Sequence, residues 1–195
     1  MNTAHVPSHY HPLIIGLHWL TLALLIAVYA LIELRGMCPK GSDARELMKH
    51  WHFMLGLLVF VLVLVRLHAR VWFRTPAIVP TPPAWQEWLA KAMHLLLYAF
   101  LIGMPVLGWV VLSAKGKAIP FFGLELPALM AADKPLAGRL EDLHKLIGTL
   151  GYWLIGLHAA AALYHHYLMR DDTMRRMLPA DSSLSNDGRG RSNPD

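Results

Sequence analysis

The chain has 195 residues, of which 55% are hydrophobic and only 16% charged, with a mean hydropathy of +0.39. A soluble domain carries roughly 25% charged residues, so this composition excludes an ordinary soluble enzyme and points to one integral membrane domain surrounded by lipid. The net charge of +5 is spread over the loops, which argues against a nucleic-acid stripe, and the lone Cys38 excludes an intramolecular disulfide, an iron–sulfur cluster and a cysteine zinc site. There are 12 histidines against 13 acids, so cofactors held by histidine remain open.

Residues 1–12 carry His5, His9 and His11 along with Pro7 and Pro12 and are expected to form a solvated arm. They lack a basic flank before a short apolar core and a small-residue cleavage site, so no cleaved signal peptide is expected. The first apolar run, Leu13–Leu34, is long enough to cross a hydrocarbon core of about 30 Å. Its costly interior side chains are His18 near the start and Glu33 at the far end. After a polar loop, a second span is expected over Met48–Leu67, with His50 and His52 near its start and Arg66, His68 and Arg70 around its end. Pro76, Pro80, Pro82 and Pro83 make 71–84 an extended connection.

A third span is expected over Trp85–Ser113, with His94 near its start and a kink at Pro105 between Gly103 and Gly108. The connection 114–142 contains FFGLELP, expected to lie along the interface. The fourth span, Leu143–Met169, carries His144, His158, His165 and His166. Residues 1–178 are thus read as one all-α, up-down-up-down four-helix membrane bundle, and 179–195 as a disordered tail. Trp51, Trp85 and Trp109 read as interface anchors.

Ionisable side chains inside a bilayer are costly and ask for partners. His144 and His158 lie fourteen residues apart on one helical face, about 21 Å along the axis. Measured from Arg35 and Lys49 at the loop end, His18 and His52 differ in depth by the same amount. Two pairs follow: His52 with His144 near the loops, and His18 with His158 near the termini. His165 lies on the same face but about two turns too far to meet His18. His50 points away from His52, and Gly56 and Gly148, one turn beyond His52 and His144, leave room for a flat macrocycle. His52 is therefore preferred.

Zinc asks for four ligands at one level; two histidines at each of two levels suit axial ligation of two haems. Buried histidines bonded to backbone, or a histidine-lined proton or metal conduit, are the competing readings. Arg66 and Arg70 are placed to pair with the propionates of the termini-side haem or with lipid headgroups, and His94 to face a quinone, a haem edge or the interface.

The segments LHW at 17–19, ELRG at 33–36, PTPP at 80–83 and GLHAAAALYHHY at 156–167 resemble the bacterial cytochrome b561 family over roughly residues 10–178. The resemblance implies a four-helix bundle with two haem b groups, carried by His18, His52, His144 and His158. It further implies the bacterial inner membrane with both termini cytoplasmic, although Lys and Arg are more numerous on the opposite loops. The activity expected on that basis is oxidation of periplasmic superoxide with ubiquinone as acceptor; the alternative is a cytochrome b subunit linking quinone to a separate dehydrogenase or hydrogenase. A cationic loop face would steer a small anion.

Overall fold

A computed structural model describes residues 9–73 and 75–179. His5, Arg74 and the tail from 180 onward lie outside the described residues. Four helices carry the fold: α1 (Pro12–Leu34), α2 (Asp43–Trp72), α3 (Ala84–Ala114) and α4 (Lys134–Tyr164). Among the described residues all four are long and apolar enough to span a bilayer. They alternate in direction, and the closest backbone packing joins α1 to α2, α2 to α3 and α3 to α4. Large apolar side chains such as Leu95 and Trp153 face outward, where a membrane protein meets lipid.

The helices outrun their hydrophobic cores. α2 begins where the Ser42 hydroxyl accepts from the Arg45 amide, and continues to Trp72. α4 begins nine residues before its expected start, because the Asp133 carboxylate accepts from the Leu136 amide and Pro135 suits a first turn. Hydropathy reports only the part of a helix that lipid covers; caps set where the helix starts. Beyond Tyr164 the backbone widens into one π turn, His165–Met169, and ends at Arg170 in the left-handed region with φ 54°. Pro105 lies inside α3, which is continuous through it.

FFGLELP, expected along the interface, is a folded element. It forms an antiparallel hairpin, β1 (Ile119–Phe121) and β2 (Leu124–Leu126), turning at Phe122 and Gly123, both at positive φ. Gly123 at φ 85° suits that tight turn. Ile119, 2% exposed, buries against Leu57 and Leu112, so the hairpin closes over the loop end of α2 and α3. Trp109 Nε1 donates to Pro127 O at 2.9 Å and the Leu129 amide to Ser113 Oγ at 3.1 Å, pinning the strand that leaves it.

At the other end, the arm expected to be solvated is docked from residue 9 onward. The His11 ring stacks on Phe73 at 3.8 Å, and the Tyr10 amide donates to Arg176 O at 3.1 Å. Arg176, 4% exposed, reaches the Pro76 carbonyl, the Asp172 carboxylate at 3.3 Å and the Tyr10 ring. Trp19 Nε1 donates to Met177 O at 2.8 Å. The N-terminal arm, the proline-rich connection and the C-terminal segment thus form one clasp. Asp171 lies within it. Burial raises the pKa of its carboxyl, but the Thr173 amide and His165 outweigh burial and hold it below the usual value. A carboxyl depressed in the folded state stabilises above its unfolded pKa of about 3.9 and loses that contribution as pH falls through the lower folded value. Trp19 emission is accordingly expected to report loosening of the clasp at a midpoint below that value, and Asp171→Asn to remove the transition; a midpoint near or above it contradicts this reading.

Midway along α4, Gly151 is buried with Tyr29 and Phe100 pressed against its α-carbon, in the space a Cβ would fill. Tyr29 is held there because its hydroxyl donates to Gly148 O at 2.8 Å. This contact closes α1 and α3 on α4 between the two histidine levels. Gly151→Ala forces both rings to move and is expected to destabilise the fold by about 1–3 kcal/mol, the usual cost of overpacking; thermal unfolding in detergent checks it, and an unchanged midpoint refutes it.

Candidate haem sites

Helical rise brings four predicted histidines together in two pairs. At the loop end, His52 of α2 and His144 of α4 face each other with ring centres 6.3 Å apart and planes at 77°. At the termini end, His18 of α1 and His158 of α4 stand 6.4 Å apart at 67°. When one ion sits about 2.0–2.1 Å from each of two facing imidazole nitrogens, the ring centres lie about 6.3 Å apart. Each pair matches that requirement. Among the described residues, no three His, Cys, Asp or Glu side chains converge as a bare metal ion would need.

The second ring nitrogens are as informative. His52 Nδ1 donates to Val28 O of α1 at 2.9 Å, the outer hydrogen bond that fixes the tautomer of a ligating histidine and leaves Nε2 to bind. His18 Nδ1 and His144 Nδ1 are buried with no hydrogen-bond partner among the described residues. Isolated core histidines would be bonded, since a buried polar atom without a partner costs about 1–3 kcal/mol. His50, the competitor on α2, is exposed and takes no part in either pair.

A cavity of about 620 Å³ opens beside the loop-end pair, lined by His52, His144, Gly56, Gly108 and Gly148. This lies within the usual range of about 300–1,000 Å³ for cofactor sites. A Cβ on Gly56 would meet nothing within 4 Å, whereas one on Gly108 would come 3.4 Å from the His144 ring and one on Gly148 3.5 Å from Met104. Gly108 therefore packs on the His144 ring at a distance where even a Cβ would make ordinary van der Waals contact. Sequence reasoning read it only as a flank of Pro105, because its role depends on how α3 turns toward α4.

The mouth of this cavity is cationic. Arg35, Arg45, Lys49, Lys115, Lys117 and Lys145 reach it, against Glu33 and Glu141. Lys115 and Lys145 are paired to Glu141 at 2.5 and 3.1 Å, and Lys49 to Glu46 at 2.6 Å. The Arg45 guanidinium donates to Arg35 O and Cys38 O at 2.9 and 3.0 Å. The side chains of Arg35 and Lys117 form no ion pair among the described residues. Tyr152 donates to Glu33 at 2.9 Å and packs on Tyr29 at 4.4 Å, a pair the sequence did not suggest.

At the termini end, Arg66 lies beside the Tyr98 ring at 6.0 Å, with its Nε and the Tyr98 hydroxyl both buried and without partners among the described residues. These are unspent donors beside the His18–His158 pair. Arg70, one turn on, is half-buried. His94 approaches His158 at 5.7 Å. His165 bonds Asp171 at 2.6 Å and His166 sits in the same π turn, so both lie past the paired levels.

A family profile described as prokaryotic cytochrome b561 matches residues 9–180. "Cytochrome b561 homolog 1" of Escherichia coli (strain K12) is 39% identical over 165 residues, covering 85% of this chain and 94% of that protein. "Probable superoxide oxidase CybB" of Yersinia pestis is 39% identical over 170 residues, 87% of this chain and 96% of that protein. "Cytochrome b561 homolog 2" of E. coli is 29% identical over 195 residues, covering 94% and 98%.

Proposed function

Because the chain belongs to the prokaryotic cytochrome b561 family, multi-pass bacterial membrane proteins that bind b-type haem and transfer electrons, we propose that it is a superoxide:ubiquinone oxidoreductase of the inner membrane with two haem b groups. The carrying observation is the pair of imidazole separations, 6.3 and 6.4 Å, at two depths of one bundle. His52 and His144 would hold one haem, His18 and His158 the other. Gly56, Gly108 and Gly148 leave the loop-end macrocycle its space, while Arg66, with Arg70 behind it, offers cations to the propionates of the other. When bound, haem iron supplies the one-electron steps: two superoxide anions leave as two dioxygen molecules, and ubiquinone takes both electrons and two protons to become ubiquinol.

The protein's part is positioning and field. Arg35, Lys117 and their neighbours at the loop-end mouth draw a small anion toward His52 and His144. In this reading that face lies in the periplasm and both termini lie in the cytoplasm, as the family resemblance implies. The name of the Yersinia relative supports the choice of superoxide.

The experiment is pulsed superoxide against the purified, haem-loaded protein in detergent with ubiquinone present. Fast haem reduction that slows with ionic strength, followed by ubiquinol formation, is expected. Slow reduction indifferent to salt, or a dehydrogenase co-purifying as the sole competent donor, contradicts the proposal.

A further inference from the structure

Three imidazoles, not two, meet at the termini end. The His94 ring of α3 lies 5.7 Å from His158 with planes at 77°, while His18 lies 6.4 Å from the same ring at 67°. His94 has backbone support of its own. Its Nδ1 donates to Ala90 O, one turn back on its own helix, at 2.5 Å. That bond fixes the neutral tautomer with the Nε2 lone pair free, the state in which a histidine binds iron. It is the same backbone support that His52 receives from Val28 at the loop end. His18 Nδ1 has no hydrogen-bond partner among the described residues. An interfacial histidine bonded only to lipid headgroups would not be brought this close to an intramembrane partner.

We propose that His94 is a reserve axial ligand: the termini-side haem can be held by His158 with either His18 or, once its ring withdraws from 5.7 Å to the about 6.3 Å that one ion between two imidazoles needs, His94 opposite. Among the described residues, the three rings do not converge as the ligands of a bare ion would. Only one of the two can be trans to His158 at a time. His158 has no such substitute, since it is the member common to both pairs. Among the described residues only His52 and His144 meet at the loop end, with no third ring beside them as a reserve. α3 thereby supports the site from a helix that the pairing of α1 with α4 leaves out.

The inference rests on the di-haem reading, and its test separates the two. Haem per chain and the electron paramagnetic resonance spectrum are measured for the wild type, His18→Ala, His94→Ala and the double variant, with no activity assay. His18→Ala is expected to keep two low-spin haems with a shifted signal for one. His94→Ala should keep two with the native signal, and the double variant should fall to one. A wild type lacking haem would sink the di-haem reading itself. A wild type with two haems and a His18→Ala protein with one, or with one five-coordinate high-spin haem, overturns the reserve-ligand proposal alone. If His18→Ala does not assemble, His18→Gly is produced with added imidazole, which is then removed. A spectrum that stays low-spin supports His94, and conversion to high-spin refutes it.

Discussion

Replacing His158 with alanine is expected to lower haem content from two per chain to one or none. His158 faces both His18 and His94, so its loss removes the one ring that every arrangement at the termini end requires. The loop-end pair, 6.3 Å apart on α2 and α4, keeps its own geometry. The result of one rather than none then depends on whether α4 still packs without the termini-side group to fill the space beside it. Haem quantified against protein, with the reduced-minus-oxidised spectrum, measures this directly. A variant that retains both haems with native spectra would mean that His158 binds neither.

Reversing the charge of two cations at the loop-end mouth that hold no ion pair among the described residues, Arg35→Glu with Lys117→Glu, is expected to slow haem reduction by superoxide about tenfold or more at low salt, within the range of roughly 10–10³ for electrostatic steering. These positions are chosen because their side chains hold no ion pair among the described residues, so their removal costs little in packing. Lys115 and Lys145, tied to Glu141 at 2.5 and 3.1 Å, contribute less net field and more structure. The effect should shrink as ionic strength rises, because screening shortens to about 8 Å at physiological salt. Stopped-flow reduction at several salt concentrations checks it, with haem content measured in parallel. Equal rates for variant and wild type at low salt would show that the anion does not approach by this face.

The histidine pairs were legible before any coordinates because two regularities are strict. A helix rises by the same amount per residue, so Arg35 and Lys49 serve as depth marks from which His18 and His52 can be placed. A bilayer penalises unpartnered polar groups, so four histidines at matching depths demand an explanation. The choice of His52 over His50 rested on helical angle and on Gly56; His50 is exposed. Other features escaped for physical reasons. The start of α4 is set by Asp133, a cap that hydropathy does not register. The arm at residues 9–12 looked solvated because nothing in its own sequence announces Arg176, more than 160 residues away, as its partner. The hairpin itself was not foreseen, because its burial turns on Ile119 meeting Leu57 and Leu112. Gly108 and the Gly151 contact with Tyr29 and Phe100 depend on helix rotation, which periodicity leaves open. His94 was placed at the correct end, but its approach to His158 needed α3 and α4 in register.

The central claim is that two depths of this bundle each hold one iron between two imidazoles. The most direct measurement is the electron paramagnetic resonance spectrum of the purified oxidised protein, recorded with its haem-to-chain ratio. The account predicts two haems per chain, both low-spin and bis-histidine, and no free coordination position. A protein with no Soret band, with one haem per chain, or with a high-spin five-coordinate haem in the unsubstituted chain would contradict it.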